Sequence, residues 1–110
     1  MTILIIDDHS GFRRSSAEIL RLNGHEVEEA ATLDEARTRL SRGGVSLVIF
    51  DLGLGAGTGL DVLDGVEPPP PVILVSGSSG SSVSDPRIAL FLSKPVVPET
   101  LIEKVAALLN

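Results

Sequence analysis

Five polar residues stand where apolar runs stop. Asp7 and Asp8 close the run ILII, Asp51 closes LVIF, Ser76 closes VILV, and Lys94 follows IALFL after a single serine. Together they offer three carboxylates, a hydroxyl and an ammonium. Each has an ordinary reading alone: an Asp after a strand is commonly a turn residue or helix cap, and Lys-Pro a solvated loop. As a set they have a chemistry. Carboxylates gathered at one place repel unless a cation compensates them, and a hard divalent ion such as Mg²⁺ takes oxygen ligands while keeping waters. The ammonium neutralises one anionic oxygen and the hydroxyl donates to another. A carboxylate in such company can accept a phosphoryl group, whose transfer demands positioning and charge neutralisation above all.

That chemistry exists only if residues 7, 51, 76 and 94 reach one rim, and the elements between them predict that they do. ILII (3–6), LVIF (47–50), VILV (72–75) and IALFL (88–92) read as strands buried on both faces. A shorter strand is expected over Glu26–Ala30. Ser10 is placed to cap a helix running to about Asn23, with Phe12, Ile19 and Leu20 on its inner side and Gly24 as a stop. Thr32 caps a second helix carrying Leu33, Ala36 and Leu40, Glu35 completes a capping box, and Gly43-Gly44 ends it. A last helix opens near Pro98-Glu99 and carries Leu101, Ile102, Val105, Leu108 and Leu109. Strands alternating with helices make an α/β chain with a parallel sheet covered on both sides. In such a sheet reactive groups collect beyond the carboxyl ends of the strands.

Two crossovers are thin. From Gly59 to Pro68–Pro71 there is room for a turn or two of helix, and SGSSGSSVSD (76–85) has no helical periodicity. The bulk numbers exclude several classes of function. With 110 residues the chain makes one domain, and without cysteine it has no disulfide, zinc-thiolate site or thiol nucleophile. A net charge of −6, from 15 acidic against 9 basic residues, argues against gripping nucleic acid or an anionic membrane. No run is long enough to span a bilayer and no secretory signal is readable, so a cytoplasmic location is expected.

An acidic pair after the first strand, an Asp after the third, a Ser after the fourth and Lys-Pro after the fifth resemble the receiver domain of bacterial two-component response regulators. The resemblance runs from TILIIDD to ALLN and treats residues 1–110 as one receiver. It implies a flavodoxin-like, doubly wound (βα)5 sandwich of three layers, strand order 2-1-3-4-5, here with degenerate third and fourth helices. Asp51 would be the phosphoacceptor, Asp8 a direct Mg²⁺ ligand, Asp7 a ligand through water, and Gly53 a ligand through its carbonyl. Lys94 would pair with phosphoryl oxygens and Ser76 would bond one of them. Phe91 matches the family's switch aromatic, and its other reading is a plain core phenylalanine.

The same resemblance implies a sensor histidine kinase or histidine phosphotransfer protein as donor, and an output domain or protein partner downstream. Gly53, Gly55, Gly57 and Gly59 do not fit a dinucleotide-binding pattern, since Thr58 stands where its third glycine would fall. They read as a pliant loop beside Asp51, with Gly55 where the family usually carries proline. Residues 77–87 have two readings: a segment that orders on phosphorylation, and a shortened loop with no signalling role. His9 reads as a solvated loop residue. Two other functions fit the residues: a small phosphohydrolase with Asp51 as nucleophile, and a pseudo-receiver serving only as an interaction module.

Overall fold

The computed structural model describes residues 2–51, 60–76, 86–93 and 96–109. Five parallel strands form one sheet in the order β2-β1-β3-β4-β5: β1 (Thr2–Ile6), β2 (Glu26–Ala30), β3 (Val45–Asp51), β4 (Val72–Ser76) and β5 (Ile88–Ser93). The described helices are α1 (Ser10–Leu22), α2 (Leu33–Leu40) and α3 (Pro98–Leu109), with a 3-10 turn at Leu60–Leu63. The strand and helix pattern predicts a parallel sheet, and its order is the flavodoxin-like one that the receiver resemblance implies. Among the described residues the thin third crossover contains that 3-10 turn, while residues 52–59 before it and most of the Ser/Gly run in the fourth lie outside them.

Alternation along the inner strands divides the core in two. Ile3, Ile5, Leu47, Ile49, Ile73 and Val75 pack with Ala17 and Leu20 of α1 and Leu101 and Val105 of α3. Leu4, Ile6, Val48, Phe50, Val72 and Leu74 pack on the other side with Ala36 and Leu40 of α2 and with Val62 and Leu63 of the 3-10 turn. A strand covered on both faces must be apolar at every position, which is why β1, β3 and β4 read as unbroken runs. Each fully buried Leu, Ile or Val side chain contributes about 1.5–3 kcal/mol relative to exposure.

β5 departs from the expectation. Its residues alternate between half-buried and exposed. Leu90 and Leu92 join the core beside α3, but Ala89, Phe91 and Ser93 point away from it. Faces are covered by the layers above and below a sheet, so an apolar composition alone does not guarantee that both are covered.

The helix boundaries follow local chemistry with two corrections. His9, in extended conformation, occupies the cap position of α1, and Ser10 is the first helical residue. The capping box of α2 forms in altered form: the Glu35 N–H donates to Thr32 Oγ1 at 3.1 Å, and Glu35 Oε1 accepts from the Ala31 N–H at 2.6 Å, one residue ahead of the usual partner. The acidic Asp34 and Glu35 in that first turn also suit the positive end of the helix dipole. α1 ends at Gly24, whose φ of +90° lies in the left-handed region that favours glycine.

The free edge of β2 is guarded. The Asp7 N–H donates to the Ala30 carbonyl, so by the alternation of the strand the Val27 carbonyl faces outward. Arg21 Nη2 of α1 donates to that outward carbonyl at 2.8 Å. Glu28, next along the strand, is paired with Arg39 of α2.

Candidate functional site

The site begins with the end of β1. Asp7 leaves the strand with its N–H bonded to Ala30 of β2 at 3.0 Å, and its carbonyl accepts from Arg13 Nη1 of α1 at 2.9 Å. The same guanidinium reaches β2, Arg13 Nε donating to Glu29 Oε1 at 3.1 Å. The Asp7 backbone is thereby fixed between a strand and a helix.

The side chains that follow differ in exposure. The Asp7 side chain is 1% exposed, that of Asp8 48% and that of His9 67%. Asp7 Oδ1 accepts from the His9 N–H at 2.8 Å, an Asx-type turn that starts the chain toward α1. His9 Nδ1 lies 3.0 Å from Asp8 Oδ1 and 3.3 Å from Asp7 Oδ1. One ligand atom from each of the three residues falls within 4.8 Å of the others.

Register then brings the other candidates to this rim. Ile6 pairs with Phe50, so Asp7 and Asp51 are the next residues along two adjacent strands. Asp51 pairs with Val75, the residue before Ser76. Ser76 in turn pairs with Ser93, the residue before Lys94. Asp51 is the last residue of β3 and Ser76 the last of β4. Asp7, Asp8, Asp51 and Ser76 thus stand at the carboxyl ends of three neighbouring strands. Gly53 and Lys94 lie outside the described residues. Phe91 is 47% exposed, which excludes its reading as a plain core residue.

The donor set fits a hard divalent cation. Two consecutive carboxylates, one buried and one half in water, sit next to the position of a third acid, and an ion with oxygen ligands relieves their repulsion. Sequence reasoning passed over one residue that positions the site. Arg13 carries no local signal, because its partners lie across the fold on β1 and β2. His9 is as solvated as the sequence suggested, 67% exposed, and it stands at the cap position of α1.

The fold and this acidic rim define a receiver, and comparison with known proteins agrees. The family model for the response regulator receiver domain matches residues 3–106, and the chain belongs to that family. It is 33% identical to the alginate biosynthesis transcriptional regulatory protein AlgB of Pseudomonas putida over 106 residues, which is 90% of this chain and 24% of AlgB. The chain therefore spans about a quarter of the length of that relative. Among solved structures, the receiver domain of the hybrid histidine kinase CckA is 30% identical with a TM-score of 0.83, covering 100% of both chains. A CheY-like receiver domain protein from Methanospirillum hungatei JF-1 is 29% identical with a TM-score of 0.79, covering 96% of this chain and 90% of that one.

The chain is accordingly a receiver domain of two-component response regulators. Such domains are signalling domains that generally bind Mg²⁺ at an acidic pocket, and an Asp-Asp-His group is present here. None of the described helices is long and apolar enough to cross a membrane.

Proposed function

We propose that residues 1–110 form one phosphorylation-controlled switch in which Asp51 is the phosphoacceptor. An Asp51 carboxylate oxygen attacks the phosphorus of a phosphohistidine on a sensor kinase or phosphotransfer protein. The O–P bond forms as the P–N bond breaks, and the departing imidazole keeps the electron pair and takes up a proton. Water later attacks the same phosphorus, releasing inorganic phosphate and restoring the carboxylate.

Asp8 and Asp51 would hold Mg²⁺ directly, Asp7 through water and Gly53 through its carbonyl. When bound, the ion supplies charge neutralisation for the attacking carboxylate and the phosphoryl oxygens. Lys94 pairs with those oxygens, and Ser76 bonds one of them once the group is in place. Phe91, on the open face of β5, follows the serine and changes the surface a partner reads. The domain turns over only its own phosphoryl group, in the cytoplasm, and passes its state to an output domain or separate protein without touching nucleic acid itself. AlgB, one relative, is by its name a transcriptional regulatory protein.

One observation carries this reading: the register that sets Asp7 beside the position of Asp51 and Ser76 one step beyond the Asp51 partner. The test is intact mass after incubation with acetyl phosphate and Mg²⁺. The wild type should gain the mass of one phosphoryl group and Asp51→Asn none. An unmodified wild type under donor excess overturns the proposal, and steady release of phosphate from a simple monoester would favour a phosphohydrolase instead.

A further inference from the structure

Building on the reading of Asp7 and Asp8 as a cation site, we infer that His9 is a further ligand of that site through Nδ1. It biases the site toward divalent transition ions, such as Co²⁺ and Zn²⁺, over Mg²⁺.

Geometry is the first support. Two donor atoms bound side by side at about 2.1 Å to one octahedral ion stand about 3.0 Å apart. His9 Nδ1 already lies 3.0 Å from Asp8 Oδ1 and 3.3 Å from Asp7 Oδ1. His9 Nδ1 and Asp8 Oδ1 therefore stand at the spacing of two adjacent direct ligands, with Asp7 Oδ1 close enough to reach the same ion through water. The ring owes this position to the backbone: the His9 N–H is held by Asp7 Oδ1 at 2.8 Å, and its carbonyl accepts from the Arg13 N–H at 3.0 Å, the first bond of α1. The imidazole is 67% exposed, so an ion arriving from water reaches it without repacking the core.

Chemistry is the second support. A site made of carboxylates, a carbonyl and waters suits Mg²⁺, which has little use for nitrogen. Imidazole suits the later first-row ions, whose affinity for mixed nitrogen and oxygen sites rises from Mn²⁺ toward Cu²⁺. Adding one nitrogen to an oxygen pocket therefore strengthens binding of Co²⁺ or Zn²⁺ and hardly alters that of Mg²⁺. His9 and His25 are the two histidines of the chain. His25 follows Gly24 after the end of α1, which makes it an internal control.

Calorimetric titration of the full chain with magnesium chloride and with cobalt chloride separates the inference from the reading beneath it. The wild type should bind Co²⁺ more tightly than Mg²⁺. His9→Ala should lose about tenfold in Co²⁺ affinity while its Mg²⁺ affinity stays within about twofold. Proton NMR of the Co²⁺ complex should show a hyperfine-shifted imidazole N–H that vanishes in His9→Ala and persists in His25→Ala. Equal Co²⁺ affinity in wild type and His9→Ala, or a shifted N–H that survives His9→Ala, overturns the role of His9 and leaves the acidic pair standing. A wild type that binds neither ion, or an Asp8→Asn variant that binds both as well as wild type does, overturns the cation site and the role of His9 with it.

Discussion

Arg13 and Asp7 are joined through the backbone of one and the side chain of the other, Arg13 Nη1 donating to the Asp7 carbonyl at 2.9 Å. The guanidinium is 11% exposed and is also paired with Glu29. It therefore holds the end of β1 against both α1 and β2, and it sets where the acidic pair leaves the sheet. Arg13→Ala should cost about 1.5–3 kcal/mol, the range for hydrogen bonds to a charged group, read as a lower urea midpoint. Loosening Asp7 should also weaken Mg²⁺ binding by about tenfold. Arg13→Lys should not restore either property, since an ammonium lacks the fork that reaches two acceptors at once.

Asp8→Asn should have opposite effects with and without the ion. Removing one of two adjacent carboxylates relieves repulsion at the rim, so in EDTA the variant should melt no lower than wild type. Added Mg²⁺ should raise the Tm of wild type, because a ligand that binds only the folded form stabilises it. The variant should respond little. Parallel thermal melts in EDTA and in excess Mg²⁺ check both signs, and equal Mg²⁺ responses would contradict the assignment.

The two phenylalanines nearest the sheet's carboxyl edge should behave very differently. Phe50 is fully buried and Phe91 is 47% exposed. Phe50→Ala should cost about 3–5 kcal/mol through lost burial and a residual cavity. Phe91→Ala should cost about 1 kcal/mol or less, as substitutions away from the core do. Chemical denaturation of both variants decides the matter. A large loss at Phe91 would mean that its ring carries packing that its exposure does not reveal.

Thr32→Ala should lower stability by about 1 kcal/mol, the usual cost of removing a hydroxyl cap. The substitution leaves the Glu35 N–H without Thr32 Oγ1. Thr32→Ser, which keeps the acceptor, should recover most of the loss. Urea midpoints of the two variants provide the comparison.

Much of this was legible before any coordinates. Parallel strands with neighbours on both sides must be apolar throughout, so β1, β3 and β4 announce themselves, and the polar residue that ends each run marks the same edge of the sheet. The capping box at Thr32 and Glu35 was likewise visible as a local pattern, but not the turn of the Glu35 carboxylate to the Ala31 N–H. Where sequence misled, the cause was a neighbour that the pattern cannot name. IALFL looks like a strand buried on both faces, yet its residues alternate between half-buried and exposed and Phe91 is 47% exposed. Ser10 looks like a cap, but the turn made by Asp7 and the His9 N–H starts the helix one residue sooner. The bridge from Arg13 to Glu29 spans sixteen residues, and no short-range rule anticipates it. The residue types of the rim could be read, whereas their adjacency needed the register.

The arrangement of Arg21 and Arg39 along β2 has a consequence for crowded solutions. A naked outer strand is a template on which another chain can add hydrogen bonds, and growth from such templates leads to insoluble assemblies. Here a guanidinium already occupies the outward carbonyl of Val27, and acidic side chains at Glu26 and Glu28 would confront their equivalents on an approaching copy. Both features disfavour the addition of a second copy along this flank.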